Sequence, residues 1–188
     1  DDLVVRGTLV GTDDALTLDA GASGNLTLHG AVDLGTGALT VTDGAIVRFL
    51  DTVAAASWTQ VDGTTSTTFG AGVTTSGTFS FRGQALTLNG SGHDIGGSMT
   101  VTNAGLFTTG NRADLAVGGA FTQDGAGAIV LGEDLVLTSP GALTLGQPVT
   151  LDGDRDEIIV LETAGNTGDD IELAATLQNT RDESVTFD

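Results

Sequence analysis

The feature that most constrains this chain is a rhythm of apolar, spacer, apolar triplets that never lengthens into a helical pattern. In LVLTSPGALTLGQPVTLDG (135–153) the triplet stands at Leu135/Leu137, Leu143/Leu145 and Val149/Leu151, between the breakers SPGA and GQP. It recurs at Leu16/Leu18, Leu26/Leu28, Leu39/Val41, Phe79/Phe81, Leu86/Leu88, Met99/Val101, Leu115/Val117 and Ile129/Leu131. Alternation with a period of two puts both apolar residues on the same side of an extended chain, so each triplet reads as a short strand with one buried face. Gly, Asp, Asn and Ser fill the gaps, and these residues tolerate tight turns. No ten-residue window keeps apolar residues at i, i+3 and i+4; the nearest, DTVAAASW (51–58), predicts at most a turn of helix. The chain is expected to be all-β.

Spacing then separates the β architectures. From Leu115 to Val149 strands begin at 115, 121, 129, 135, 143 and 149, so steps of six and eight alternate and leave very short corners. Such strands suit a coil turning in one direction better than a sandwich, whose hairpins need longer strands. A longer repeat points the same way. LTLHG (26–30) returns as LTLNG (86–90), and LTVT (39–42) returns as MTVT (99–102), each 60 residues on. Three coils of roughly 20 residues give that offset, and Leu115 to Leu135 and Ile129 to Val149 are each one coil apart. These spacings predict a parallel β-helix (β-solenoid) of about three short strands per coil, each coil hydrogen-bonded to the next. Nine or so coils at ~4.8 Å each predict a rod about 45 Å long. The whole chain, 1–188, reads as one solenoid domain. Its poorest match is 54–78, expected to be an irregular excursion or contact segment.

Charge narrows the range of partners. Six basic residues, all Arg, face 25 acidic ones, for a net charge of −19. With no basic patch to displace counterions from phosphates, nucleic acid is excluded as a partner. At 39% hydrophobic residues the chain can still bury a core, so the acidity does not mean disorder. There is no cysteine for a disulfide or a thiolate metal site. No apolar run approaches the ~20 residues of a membrane span, and no secretion signal is read after Asp1.

The phrases GNLTLHG, GALTVTDGA, GALTLGQPVTLDG and DIELAATLQN resemble the strand-rich repeats of large bacterial surface and secreted proteins, among them filamentous-haemagglutinin-like and autotransporter-like adhesins. The likeness covers most of the chain outside 54–78. It implies a right-handed β-helix, exported to the cell surface or beyond, serving as a stalk, fibre or adhesin. It implies no active site.

Few residues suggest chemistry. His29 in LTLHG and His93 in GSGHDIGG read as solvent-facing turn residues without a catalytic partner. Sugar-cleaving β-helices use acidic or basic clusters in an aromatic-lined groove, whereas this chain has one Trp, no Tyr and no Lys; no enzyme is expected. In DGDRDE (152–157) the alternating carboxylates Asp152, Asp154 and Asp156 are the best candidate ligands for Ca²⁺, which takes hard oxygen donors. The run departs from an EF-hand loop, with Glu157 where Gly is needed and Thr163 where Glu is needed. No other cofactor is expected. The two TVT stretches resemble the Thr-x-Thr ranks of ice-binding solenoids, but they stand 60 residues apart and not on consecutive coils. Asn25 and Asn89 open N-x-Ser/Thr sequons. Within 54–78, Trp58 and Phe69 are candidate contact residues.

A solenoid ends in open strand edges unless a cap covers them, and no capping helix is read at either end. Two readings of such ends follow, a segment of a longer tandem array or a subunit that stacks on copies of itself, and both place the function in the shape; the leading expectation is an extracellular structural subunit that stacks head to tail into a filament, stalk or matrix fibre. An adhesin segment displaying Ser57 to Phe81, Trp58 among them, to a glycan or a host protein is the second expectation, and a polysaccharide lyase or hydrolase the third.

Overall fold

The computed structural model describes residues 1–110, 112–153, 158–165, 169–180 and 184–188. All its regular structure is strand, and every strand pairing is parallel. The chain winds as a β-solenoid with three strand positions per turn. On the first side the stacked partners are Leu3, Leu26, Val47, Thr67, Leu86, Phe107, Ile129, Val149 and Leu177. Differences between successive members give 19 to 23 residues per turn up to Val149 and 28 in the last step. The second side is a nine-stranded sheet of its own. The third side carries Leu16, Leu39, Trp58, Phe79, Met99, Phe121, Leu143 and Ile171 in one row. Third and first sides join into one 15-stranded sheet, because Leu16–Leu28 and Ala38–Phe49 run unbroken through the corner between them.

The triplets explain the core. In strand after strand the flanking residues are buried and the middle one is not, as in Leu143–Leu145 and Val149–Leu151. Three such sides pointing inward fill the coil with Leu, Val, Ile and Phe at 0–6% exposure. Each side chain packs on its counterpart one coil away and on the inward residues of the other two sides.

The segment 54–78 departs from expectation. It contains no excursion and no helical turn: Val53–Ala55, Ser57–Gln60, Ser66–Phe69 and Val73–Thr75 continue all three sides in register. Its inward positions are occupied partly by polar residues, which hides the apolar alternation. Gln60 and Thr67 both lie inside at 0–1% exposure, and the Thr67 hydroxyl donates to Gln60 Oε1 at 2.7 Å. That bond satisfies the Thr67 hydroxyl and the Gln60 amide oxygen, which is what lets these two polar residues take core positions.

Glycine is required where coils meet closely. Gly35 has φ +56°, and a Cβ there would collide with the Thr12 carbonyl oxygen of the neighbouring coil. A side chain at that corner would both strain the backbone and part the two coils.

Candidate functional site

Trp58 and Phe69 do not form a contact surface. Both are fully buried. Trp58 stacks on Phe79 with ring centroids 4.4 Å apart and meets the edge of Phe69 at 5.4 Å, while Phe69 stacks on Phe49 at 4.9 Å. Stacking in a solenoid aligns like residues from successive coils, so an inward aromatic finds aromatic neighbours and turns away from solvent.

The histidines part company. His29 is exposed at a corner, as expected. His93 is 1% exposed, inside the strand His93–Ile95 and paired in register with Leu115. Its Nε2 lies 3.0 Å from the Asn89 carbonyl oxygen, and its Nδ1 is buried with no partner. Burial lowers its pKa below the usual value, against smaller raising effects of the Asn89 carbonyl and Asp114.

Of the candidate calcium ligands, Asp152 is half-buried and accepts the Thr180 hydroxyl at 3.0 Å; Asp154 and Asp156 lie outside the described residues. Among the described residues no three acidic, histidine or cysteine side chains gather as a metal site. The TVT stretches prove to belong to a continuous rank. Thr17, Thr40, Thr59, Ser80, Thr100, Thr122 and Thr144 point outward on successive coils of the third side. The sequence hides this rank because single hydroxyls, and not TxT pairs, repeat. The second outward position of these strands mixes apolar and charged groups, among them Val61, Arg82 and Asp124, while on the first side Thr68, Thr87 and Thr108 form a shorter hydroxyl run.

Besides the His93 ring and the buried Trp58 indole N–H, two larger features have unmet bonding capacity. The first is the pair of coil ends. Leu3–Val5, Leu9–Val10 and the start of Leu16–Leu28 pair on one edge only, as do Ile171–Leu173, Leu177–Asn179 and Ser184–Phe187 at the far end. The inward residues there, Leu3, Val5, Leu9 and Leu16 at one end and Ile171, Leu173, Leu177 and Val185 at the other, are only partly buried. Among the described residues no cap covers either end.

The second is a cleft of about 290 Å³ at the corner between the third and first sides, spanning successive coils. Its wall includes Asp62, Gly63, Arg82, Gly83, Gln84 and Thr102, with Asn103 and Gly125 further along. Glycine is required at the corner beside it: a Cβ on Gly83 would come within 2.9 Å of the buried Phe81 Cζ and 3.2 Å of Gln60 Nε2. Beneath it lie buried amides. Gln123 Nε2 donates to Asn103 Oδ1 at 2.6 Å and to the Gly125 and Gly127 carbonyls at 3.1 and 3.2 Å, and Asn103 Nδ2 donates to the Gly105 carbonyl at 2.6 Å. Two of the buried amides here are incompletely paired: Gln60 Nε2, next to both Gly63 and Gly83, has no acceptor, and Gln123 Oε1 has no donor.

Fold and sites together define the class, a parallel β-solenoid repeat protein. No protein-family model matches the chain, and no curated protein or solved structure matches it. No helix among the described residues is long and apolar enough to cross a membrane.

Proposed function

We propose that the chain is an extracellular structural element, a rod of β-solenoid that stacks end on with copies of itself to build a stalk, filament or matrix fibre of the adhesin-repeat kind. The observation that supports this reading is the continuous parallel stack, in which each coil pairs with the next in register and like residues line up inside. A strand that pairs on one side only templates further parallel pairing. A copy docked head to tail would set Leu177–Asn179 on Leu3–Val5 and Ser184–Phe187 on Leu9–Val10. The contact is heterologous and does not close, so it propagates.

Two features limit its strength. Among the described strands the third side has eight and the second nine, so an end contact pairs two sides of three. Acidic residues also meet across it, with Asp1, Asp2, Asp13 and Asp14 near one end and Asp169, Asp170 and Glu172 near the other. Association is therefore expected to depend on concentration and to strengthen with salt. At about 1 M salt the screening length falls to ~3 Å and the repulsion is largely removed. Negative-stain electron microscopy and sedimentation velocity, run across a concentration series at low and high salt with and without calcium, test this. Rods lengthening with concentration and salt are expected. Single short rods under every condition would refute self-stacking, and growth only with calcium would transfer the contact to ion bridging.

A further inference from the structure

We infer that the Asn89–Gly90 peptide, at the corner between the first and second sides, is a self-modification site, where the chain converts Asn89 to an aspartyl or isoaspartyl residue with water as the only co-reactant. The site is independent of whether the rod stacks end on. Asn89 is exposed, and Gly90 after it has no side chain to obstruct its nitrogen and stands at φ +83°. The Asn89 N–H is held by the Phe69 carbonyl at 2.8 Å, whereas the Gly90 N–H is committed to no partner among the described residues. The coils on either side have glycine at this corner, Gly70 and Gly110, and a Cβ on Gly110 would come within 2.6 Å of Asn89 Oδ1. The side-chain amide thus has its room because Gly110 lacks one.

His93 sets this Asn–Gly pair apart. Its Nε2 lies 3.0 Å from the Asn89 carbonyl oxygen, in a ring 1% exposed and fixed in register with Leu115. A carbonyl only accepts, so Nε2 carries the proton and donates, and the buried Nδ1 is the bare nitrogen of a neutral ring. That carbonyl belongs to the same peptide unit as the Gly90 N–H. When the nitrogen loses its proton to hydroxide, negative charge spreads onto the carbonyl oxygen, and a donor already aimed at the atom that gains charge lowers the barrier. The Gly90 nitrogen then attacks Asn89 Cγ: the N–Cγ bond forms, the Cγ–Nδ2 bond breaks, and Nδ2 takes a proton from water and leaves as ammonia. Water opens the resulting five-membered succinimide at either carbonyl, to an aspartyl residue or to an isoaspartyl one whose backbone runs through Cβ. One water is taken up, one ammonia is lost and one carboxylate is gained. Two other asparagines are built differently. Asn25 and Asn103 precede Leu26 and Ala104, and their amides are engaged, with Asp2 Oδ1 at 3.0 Å and with the Gly105 carbonyl at 2.6 Å. The corner row holding Asn89 runs through Leu50, Gly70, Gly110 and Gly132, so the reaction sets a negative charge on an uncharged row.

The test is peptide mapping by mass spectrometry, with electron-transfer fragmentation to separate aspartyl from isoaspartyl products, on the 188-residue chain incubated at mildly alkaline pH, native and unfolded in guanidinium chloride. In the native chain conversion is expected at Asn89, at least as fast as in the unfolded chain, with Asn25 and Asn103 intact. His93→Leu should slow the native reaction about tenfold or more, as loss of one donor to a developing oxyanion does, and should leave the unfolded rate unchanged. His93→Gln, which returns an N–H donor, should recover part of the rate; circular dichroism checks that both variants fold. Native conversion slower than in the unfolded chain overturns the proposal, since the fold would then protect Asn89. So does a native rate that His93→Leu leaves unchanged or raises, which would reduce the site to the ordinary chemistry of an Asn–Gly pair.

Discussion

Truncation of Trp58 to alanine separates a surface residue from a core residue by its magnitude. Large-to-small replacement of a buried Trp or Phe costs about 3–5 kcal/mol, from lost transfer energy and the cavity left behind. Trp58 also gives up its stacked contact with Phe79 at 4.4 Å and its edge contact with Phe69 at 5.4 Å. Such pairs are worth about 0.5–1.5 kcal/mol each beyond the buried area. One term opposes these losses. The indole Nε1 is buried without a partner, and removing an orphaned N–H returns about 1–3 kcal/mol. Packing prevails, and a net loss of about 4 kcal/mol is expected. In a chain of this size, where each kcal/mol moves the midpoint by about 2–4 °C, that loss lowers Tm by roughly 8–16 °C. Trp58→Phe keeps the ring stack and deletes the orphaned donor, so it should cost far less. Differential scanning fluorimetry and circular dichroism read both variants. Because Trp58 is the chain's one tryptophan, its emission in the parent protein should be blue-shifted and resistant to iodide quenching. An alanine variant melting within about 2 °C of the parent, or an iodide-accessible tryptophan, would refute the buried stack.

His93 should make stability pH-dependent in a definite direction. Its folded pKa lies below the unfolded value of about 6.5, so as pH falls below that value the unfolded chain takes up a proton that the buried ring refuses. Urea denaturation should show stability lost at up to ~1.4 kcal/mol per pH unit in that window, until the folded ring itself protonates. His93→Leu, beside Leu115 in the stack, should flatten this part of the profile. Gly35→Ala should destabilise by about 1–2 kcal/mol from its positive φ, with a further penalty from contact with the Thr12 carbonyl; a neutral result in chemical denaturation would show that the corner relaxes freely. Gln123→Leu removes the donor to Asn103 Oδ1 and to the Gly125 and Gly127 carbonyls, so a loss of about 1–3 kcal/mol is expected in the same assay, with faster amide exchange around residues 103–127.

Where inward residues are apolar the fold was legible in the sequence, because the triplet itself is the burial pattern. Leu143/Leu145 and Val149/Leu151 are strands with those residues buried, and Leu115 and Leu135 pair one coil apart as their spacing predicts. Legibility failed where a polar side chain faces inward. Gln60, Thr67, Thr75 and His93 interrupt the alternation, and each meets a partner through a bond that joins residues four or seven apart, or across a corner. Trp58 and Phe69 were misplaced for the same reason. Beside Gln60 and Thr67 they looked like aromatics in a polar stretch, whereas the register with Leu39, Phe79 and Phe49 turns them inward. The cleft had no signature at all. Asp62, Arg82, Thr102 and Asp124 belong to different coils and become neighbours only through the stacking.

Stacking also explains where function can reside on such a rod. Each coil contacts only the coils on either side, so inward positions answer to two neighbours and tolerate little change, while outward and corner positions answer mainly to solvent. A residue such as Arg82, exposed on a corner, can be altered without disturbing Phe81 beside it, which is buried against the aromatic stack. Corner chemistry and end-on stacking therefore occupy separate parts of the molecule. Corner substitutions should leave both stability and assembly unchanged: Arg82→Ala is expected to melt and to sediment as the parent does, read by circular dichroism and sedimentation velocity. A clearly lowered Tm would mean that corner positions answer to the core after all.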